Sequence, residues 1–504
     1  MIRKFASVSG FTLVSRLTGF LRDVVIASML GSGLMADAYF VAQRLPNHFR
    51  AIFGEGAFNS AFVPGYAREL GTAGPNAARL FAGRVLTLLT LVLLPLTILA
   101  IWQMPVVINL LAPGFAEDSE KYALAVTLTR ITFPYLLLIS IVTLLSGILN
   151  AHNRFAAAAG APVLLNMAIL GALAVAFLFP SASHAAAWGI AVSGLLQLVL
   201  VAFDASRHGF LPRFERPHLN PAMGRFFRAL GPAVIGSAGV QIAIFADTII
   251  ASLLPTGSVS AISYADRLYQ LPVGLIGIAA GTVLLPEMSQ HLASDSHDRA
   301  HHAQNRSMAL SIMLTAPFFV AFLMIPDLIM RGVFMHGNFT ATDASASAAV
   351  LSAYAIGILP IVLIRSFVAS FHARQDTTTP LLAAFLGIAV NVGLKLILYR
   401  NYGAPGLAFA TAIGAWINGS MLVILALKKG WMKFDIDLIQ MVVAVAAATT
   451  VLAASTPLLL SPSQSISLQF GIAAPAVSLV VTGLTGSIIY AAALWGSSRL
   501  VRKN

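Results

Sequence analysis

The chain consists largely of apolar stretches of about 20 residues, each long enough to cross the hydrocarbon core of a bilayer as a helix. Their number and spacing predict an all-α polytopic membrane protein with 14 transmembrane helices. The predicted spans are 8–30, 35–58, 83–111, 123–150, 157–180, 185–204, 227–254, 260–285, 307–331, 347–371, 380–399, 405–427, 437–460 and 469–495. Polar residues interrupt the second and the eighth of these spans.

Composition supports a chain that crosses the membrane many times. Of its 504 residues, 58% are apolar and only 10% are charged, whereas a soluble domain carries nearer a quarter charged residues. The formal net charge of +12 is explained by basic cytoplasmic loops, so we expect no nucleic-acid partner. The absence of cysteine excludes disulfides, thiolate metal sites and thiol catalysis.

The basic residues are distributed unevenly between the two sets of loops. Most of the 31 Lys and Arg residues lie at one set of span ends, and the alternate set holds only Lys121, Arg331 and Arg400. Cytoplasmic loops carry such an excess, so both termini are predicted to be cytoplasmic. The N-terminal segment is basic and then apolar without an A-x-A-like cleavage site, which predicts an uncleaved first helix.

Three segments of the first half of the chain recur in the second half in the same order. Ile26–Gly33 resembles Ile250–Gly257, Val63–Pro64 resembles Leu285–Pro286, and Ala187–Ala191 resembles Ala404–Ala408. The separation corresponds to six helices, an even number, so the two copies share one orientation and a pseudo-two-fold axis along the membrane normal. The predicted organisation is an N-terminal lobe at 1–204, a cytoplasmic linker at 205–226, a C-terminal lobe at 227–430 and two further helices at 431–504.

The first two spans carry charges that an ordinary membrane hairpin lacks. A charge at bilayer depth costs several kcal/mol unless it faces a protein interior or a wet cavity. Arginines outnumber acids here, and a guanidinium group binds phosphate through paired hydrogen bonds while keeping its charge. We therefore predict a cationic cavity for an anion. Its candidate residues are Arg16, Arg22, Arg44 and Arg50, with Asp37 and Glu55 among them and Arg267 at the corresponding place in the second half.

An alternative is that these arginines form structural ion pairs, because Arg22 adjoins Asp23 and Arg267 adjoins Asp266. The anion site is the favoured interpretation for the hairpin as a whole.

Helix geometry adds two expectations for the hairpin. Arg16 and Arg22 are six residues apart, so they share no helical face unless the helix bends at Gly19. Asp37 and Arg44 are seven apart and share a face, which favours a structural or gating pair over acid–base chemistry.

The remaining charged residues carry weaker signals. Asp247 is a lone carboxylate inside the seventh span, and the sequence leaves open a cation pathway or a hydrogen-bonded structural acid. Lys395 lies near the end of its span and is expected to snorkel to the periplasmic face of the membrane. A histidine-rich segment containing His291, His297, His301 and His302 is interpreted as a solvated loop in preference to a metal site. Catalytic motifs such as H-E-x-x-H, G-x-S-x-G and the P-loop are absent from the sequence, which gives no case for an enzyme.

Several charged segments resemble one known family, the MviN/MurJ lipid II flippases of the multidrug/oligosaccharidyl-lipid/polysaccharide (MOP) exporter superfamily. The resemblance extends over about residues 5–430 and is most specific in the first hairpin. The segments that carry it are Ser15–Arg16, Gly19–Asp23, Asp37–Phe40, Arg44–Asn47 with Arg50, and Phe53–Phe58 in the first half, and Tyr264–Leu268, Gly281–Pro286 and Ala373–Pro380 in the second half.

The resemblance implies a role for each residue of the cationic site. Helices 13 and 14 would form a groove for a polyprenyl tail. Asp247 and Asp376 resemble two ligands of a sodium site found in some members, although His372 stands where an asparagine is expected. The residues implied to contact the diphosphate of lipid II are Arg16, Arg22, Arg50 and Arg267, with Asp37, Arg44 and Glu55 in support.

The predicted function is therefore transport and not enzymatic catalysis. The chain is expected to move lipid II, which is undecaprenyl-diphosphate-MurNAc-pentapeptide-GlcNAc, from the inner to the outer leaflet of the bacterial inner membrane by alternating access. It needs no cofactor, and its energy source is the membrane potential or a Na⁺ gradient. Membrane lipids and the cell-wall synthesis machinery are the other expected partners.

Other functions fit the sequence less well than lipid II transport does. A flippase for another polyprenyl-diphosphate oligosaccharide and a drug/cation antiporter are the alternative transporters, but an antiporter favours acids over arginines in its cavity. A membrane glycosyltransferase needs catalytic carboxylates in a sizeable external loop, and the predicted outward loops are short. A scaffold for the cell-wall machinery has no use for buried arginines.

Overall fold

The computed structural model describes the backbone of residues 2–50 and 57–501, and all regular structure in those two ranges is helical. This confirms the predicted all-α class. The helices are α1 (Ile2–Leu30), α2 (Leu34–Arg50), α3 (Ala57–Trp102), α4 (Met104–Leu111), α5 (Ser119–Thr132), α6 (Tyr135–Ala151), α7 (Ala156–Ala174), α8 (Ala182–Arg207), α9 (Pro221–Ser252), α10 (Ser258–Pro272), α11 (Ile278–Ala293), α12 (His297–Met324), α13 (Pro326–Phe334), α14 (Ala341–Ala373), α15 (Thr378–Lys428), α16 (Ile436–Ser467) and α17 (Ala474–Val501).

Ten helical segments in the described ranges are long and apolar enough to cross a membrane, so the chain is a multi-pass membrane protein. The predicted number was 14. One of the ten segments, Thr378–Lys428, covers two predicted spans, while α1 carries the charges of the first hairpin and α2 has only 17 residues. The exact count of 14 stays a prediction.

Helix α15 is a hairpin of two antiparallel helices. As one straight helix its 51 residues would extend about 77 Å, more than twice the hydrocarbon core. The backbone leaves the helical region at Gly403, where φ is 54° and ψ is −140°, a conformation that glycine adopts without strain. A Cβ on Gly387 would lie 2.8 Å from the carbonyl oxygen of Gly414, so the two halves pack backbone to backbone.

Helix α3 also folds back on itself. Its backbone leaves the helical region at Gly74, where φ is 85°. On either side of that break the rings of Phe62 and Phe81 stack with their centroids 5.9 Å apart. The segment after the break exposes large apolar side chains along its outer face, including Leu91, Ile98 and Trp102, as expected of a helix surrounded by lipid.

The described chain forms two compact units, Met1–Val259 and Ser260–Asn504. In the first unit α2 is almost wholly buried, with Ala36, Tyr39 and Ala42 fully inaccessible. In the second unit α12, α16 and α17 share an apolar core that includes Val320 and Ala448. The predicted lobes, linker and tail helices describe the sequence repeat and remain predictions.

One prediction about a charged side chain is wrong. Lys395 was expected to snorkel to the membrane surface, but the structure leaves it only 2% exposed within α15. Burial depends on neighbours in space, which the position of a residue along its own span does not reveal.

Candidate functional site in the first hairpin

Arg22 is the fixed cation of the hairpin. Helix α1 places it inside the first unit, where it is only 6% exposed. Its guanidinium group contacts one oxygen of Asp23 through two nitrogens, at 2.7 Å and 3.1 Å. A third nitrogen donates to the side-chain oxygen of Asn166 at 2.9 Å. The adjacent ion pair suggested by the sequence is therefore present.

Asn166 was missed by the sequence reasoning and proves central to the hairpin. It lies on α7, and its amide nitrogen donates to the carbonyl oxygen of Ser15 at 2.9 Å and to the hydroxyl of Thr18 at 3.1 Å. A Cβ on Gly19 would come within 3.4 Å of this amide, so a glycine lets α7 approach α1. The sequence did hold one indication of this role, since Asn166 is a lone asparagine in the apolar α7. A buried polar group needs hydrogen-bond partners, so such a residue is expected to contact another polar group.

Arg16 has the opposite environment. It lies at the middle of the 29-residue α1, its side chain is exposed, and no hydrogen-bond or ion-pair partner for it occurs among the described residues. The chain stays helical through Gly19. An unneutralised guanidinium at that depth is stable only where water or an anion reaches it.

Asp37 holds a tight turn in the first unit. The side chain is 1% exposed, and one carboxylate oxygen accepts the backbone N–H of Gly257 at 2.8 Å. The hydroxyl of Ser32 donates to the carbonyl oxygen of Gly257 at 3.1 Å. The turns that end the repeated segments Ile26–Gly33 and Ile250–Gly257 thus contact each other. Arg44 is partly buried on the same helix, and its pairing with Asp37 stays a prediction.

Two further contacts hold the segment before Gly257. The ammonium of Lys121, which is 3% exposed, donates to the hydroxyl of Thr256 at 2.9 Å. The N–H of Gly114 meets the hydroxyl of Ser252 at 3.3 Å, and a Cβ on Gly114 would lie 2.1 Å from the carbonyl oxygen of Ser252. We call this set of contacts onto the segment 252–257, made by Ser32, Asp37, Gly114 and Lys121, the clasp.

The other predicted site residues are placed separately. Arg50 ends α2, but its side chain and all of Glu55 lie outside the residues that the structure describes. Asp247 is partly buried on α9 in the first unit, and Arg267 is partly buried on α10 in the second unit. Whether these groups act together stays a prediction.

Asp376 does not offer a free carboxylate to a sodium ion. One oxygen accepts the N–H of Thr379 at 2.9 Å, and the other accepts its hydroxyl and the ammonium of Lys429, both at 2.7 Å. Burial raises the pKa of Asp376, but these hydrogen bonds, the one from Lys429 foremost, outweigh it and lower the pKa to about 2. The ammonium of Lys429 therefore already neutralises the carboxylate of Asp376. As arranged in the structure, this carboxylate does not fit the ligand set of a sodium ion.

Comparison with known proteins extends these observations. The family model described as lipid II flippase MurJ matches residues 26–475. A probable lipid II flippase MurJ of Rhizobium meliloti (strain 1021) is 40% identical over 90% of this chain and 86% of its own length. The lipid II flippase MurJ of Burkholderia cenocepacia is 34% identical over 87% of both chains.

Solved structures give the same result. A lipid II flippase MurJ in an inward closed conformation aligns with a TM-score of 0.79 at 25% identity, over 96% of this chain and 98% of that one. An inward-facing multidrug resistance MATE transporter of the MOP superfamily aligns with a TM-score of 0.68 at 15% identity, over 84% of this chain and 97% of that one. The second likeness concerns the fold alone.

A many-helix membrane fold of this kind, with arginines inside its first hairpin, defines a membrane transporter. The family model and the relatives are more specific than the fold. The chain belongs to the MurJ family of lipid II flippases. It is accordingly a transporter of peptidoglycan synthesis and not an enzyme, as predicted.

Proposed function

We propose that this chain carries lipid II from the inner to the outer leaflet of the bacterial inner membrane by alternating access, with the diphosphate of the substrate bound by the hairpin arginines. The observation that carries the proposal is Arg16, an exposed guanidinium at the middle of a membrane-length helix with no partner among the described residues. A diphosphate supplies the negative charge that this position lacks, and paired N–H donors suit phosphate oxygens.

Arg22 has a different role in this proposal. Its hydrogen bonds to Asp23 and Asn166 use three of the five guanidinium N–H groups. The guanidinium group of Arg22 is therefore held in one orientation before the substrate binds. The exposed side chain of Arg16 can move with the diphosphate during transport. Arg50, Arg267 and Arg44, with Asp37 and Glu55 in support, complete the proposed diphosphate site.

The clasp is the proposed moving part on the side opposite the basic loops. Its contacts are hydrogen bonds between a short segment and three side chains and one backbone N–H, each worth about 1 kcal/mol net, or about 1.5–3 kcal/mol where a charged group takes part. Such contacts are strong enough to hold one state and weak enough to exchange for another. We propose that they are made when this side is closed and are broken when the substrate leaves.

The proposed topology has 14 transmembrane helices with both termini in the cytoplasm. The hairpin at Gly403 divides α15 into two spans, and α1, α2 and α9 supply the spans that length and hydropathy alone leave out. The basic residues then fall on the cytoplasmic side.

A polyprenyl tail has a candidate site in the second unit. A cavity of about 240 Å³ lies between α12, α16 and α17 and is lined mainly by apolar side chains, among them Phe318, Leu452 and Leu459. An isoprenoid chain is the ligand such a surface suits in a membrane protein, which supports the role proposed for the last two helices. The membrane potential is the proposed driving force, because a charged head crosses the membrane.

Complementation tests the proposal directly. The chain is expressed in a bacterium depleted of its own lipid II flippase, alongside Arg16→Ala, Arg16→Lys, Arg22→Ala, Arg50→Ala and Arg267→Ala, with membrane levels checked. Arg228→Ala, at an exposed arginine on α9 outside the hairpin, is the control. We expect rescue by the parent and the control, loss in the alanine variants, and partial rescue by Arg16→Lys.

Two outcomes would overturn parts of the proposal. Rescue by every alanine variant would leave lipid II transport standing and return the arginines to structural pairing. Failure of a well-expressed parent would make another polyprenyl-diphosphate oligosaccharide the better substrate.

A further inference from the structure

Three metal-ligating side chains converge in the second unit, away from the hairpin arginines. His302 lies in the second turn of α12, and Asp435 and Asp437 lie at the start of α16. One ligand atom from each of the three lies within 4.8 Å of the others. The three line a cavity of about 220 Å³ that opens to solvent.

We propose that a divalent transition-metal cation, zinc being the best match, binds His302, Asp435 and Asp437 and ties α12 to α16. The geometry of one pair already suits a metal. The imidazole Nδ1 of His302 and a carboxylate oxygen of Asp435 are 3.2 Å apart. Two ligands at tetrahedral zinc, with bonds of about 2.0–2.1 Å, are separated by about 3.4 Å.

An independent observation also points to a cation. Asn305, one turn along α12 on the same cavity, is 3% exposed. Its amide nitrogen donates to the carbonyl oxygen of Lys433 at 2.8 Å, but its amide oxygen has no hydrogen-bond partner among the described residues. A buried acceptor without a partner costs about 1–3 kcal/mol, and a carboxamide oxygen is a group that can ligate a divalent cation.

The local charges are compatible with a cation despite the basic surroundings. Arg306 lines the same cavity, but both oxygens of Glu287 accept from its guanidinium group, at 2.9 Å and 3.2 Å, so its charge is offset. The two aspartates then provide the two negative charges that match a divalent ion.

The donor set selects the class of metal. An imidazole nitrogen with carboxylate oxygens suits zinc and its first-row neighbours. Calcium and magnesium prefer sites made of oxygen ligands only. The chain has no cysteine, so no thiolate competes for the ion elsewhere.

The chain contains a matched control. His297 and Asp295 form a similar exposed pair, with 3.1 Å between the imidazole and the carboxylate. Within the described ranges this pair gains no third ligating side chain. Loss of His297 therefore tests whether any surface His–Asp pair is sufficient.

The experiment measures zinc binding to the full chain, purified without a polyhistidine tag and stripped with a chelator in detergent micelles. Zinc chloride is titrated by calorimetry into the parent, His302→Ala, Asp437→Asn and His297→Ala, with magnesium chloride as a second titrant. Size-exclusion profiles check that each variant is folded.

We expect one equivalent of zinc in the parent and in His297→Ala, with about a tenfold or larger loss of affinity in His302→Ala and Asp437→Asn. The melting temperature should rise with zinc concentration in the parent and the control only. The proposal is overturned if the parent takes up no single equivalent, if His302→Ala binds as tightly as the parent, or if magnesium binds equally well.

Discussion

Two ion pairs of equal length, one in each unit, show that the distance between the charged groups does not by itself indicate how much a pair stabilises the fold. The guanidinium of Arg22 and the ammonium of Lys429 each lie 2.7 Å from a carboxylate oxygen, of Asp23 and Asp376 respectively. The side chain of Arg22 is 8% exposed and that of Lys429 is 39% exposed. A buried charge loses its hydrating water, and only its partners offset the free-energy cost of that loss. Water screens an exposed pair, so the partner matters less there. The first pair therefore holds the Arg22 guanidinium group in place, and the second is a minor stabilising contact.

Removing one partner from each pair should give the largest contrast. Arg22→Ala removes the guanidinium group that makes two short contacts to Asp23 in a mostly buried site, and we expect a loss of about 3–5 kcal/mol in unfolding free energy. Lys429→Ala is the matched change at the exposed pair, and we expect less than about 1 kcal/mol. Chemical unfolding of both variants in micelles measures the difference. Equal losses would remove the distinction drawn between the two pairs.

A double substitution separates stability from transport at the buried pair. Arg22→Met with Asp23→Leu replaces both charges by apolar groups, which often restores the stability lost with a single partner. We expect near-parental unfolding but no rescue in the complementation assay, since the diphosphate loses a cation. Rescue by this variant would mean that Arg22 serves the fold alone.

Loss of the hydrogen bonds that Asn166 makes to Arg22 and α1 should have the next largest effect on stability. Asn166→Ala removes a hydrogen bond to a charged group and leaves the guanidinium one partner short, for an expected loss of about 2 kcal/mol. The same change should slow lipid II flipping in proteoliposomes while leaving the protein folded. Unaltered flipping would show that Asp23 alone orients the guanidinium group.

Asp37 and Asp376 each accept a backbone N–H group. Replacing them should give a smaller difference in unfolding free energy than the two ion pairs give. Asp37→Ala opens a fully buried contact to Gly257, and we expect about 1–3 kcal/mol. Asp376→Ala opens the contact to Thr379 at a carboxylate that is 16% exposed and also frees the more exposed ammonium of Lys429. We expect less than about 1 kcal/mol, because water solvates that ammonium. Thermal unfolding followed by tryptophan fluorescence compares them. A larger effect at Asp376 would contradict the importance given to burial.

The smallest expected effect is a dependence on pH. The pKa of Asp376 is lowered to about 2 in the folded protein by Lys429 and Thr379, despite the opposing effect of burial. The folded state therefore holds this proton less tightly than the unfolded chain does. The stabilisation is fully present above about pH 4 and is lost as the pH falls through about 2.

Lys429→Met isolates this contribution, because the other acids titrate alike in the parent and the variant. The difference in melting temperature between the two proteins should be steady above pH 4 and should shrink towards pH 2. A difference that is constant across this range would show that the ion pair contributes nothing that depends on ionisation.

Much of the architecture could be predicted from local sequence. The apolar stretches gave the all-helical membrane class, and the break at Gly403 falls between the predicted spans 380–399 and 405–427. The pair of Arg22 and Asp23 was visible because the two residues are adjacent. Asn166 was not, because it reaches Arg22 from 144 residues away, and neither composition nor periodicity identifies such a partner.

The histidine-rich segment of the second unit also has a contact that the local sequence does not predict. The prediction of a solvated loop is wrong for most of this segment, because His297, His301 and His302 lie on α12. His301 is only 8% exposed, while His297 and His302 are exposed. Only the packing of α12 against α16 brings His302 to Asp435, which lies 133 residues further along the chain. Spacing within one segment carries no information about acids on another helix.

Hydropathy, repetition and charge are properties of local sequence. The membrane class, the repeat, the excess of arginine in the first hairpin and the family resemblance could therefore be recognised without a fold. Packing was needed to show that Arg22 is held while Arg16 has no partner within the part of the chain that the structure describes. It also showed that Lys395 is buried, that Asp37 accepts from Gly257 and that Lys429 pairs with Asp376. The physical reason is that burial and ion pairing depend on neighbours in space, and those neighbours lie tens to hundreds of residues away.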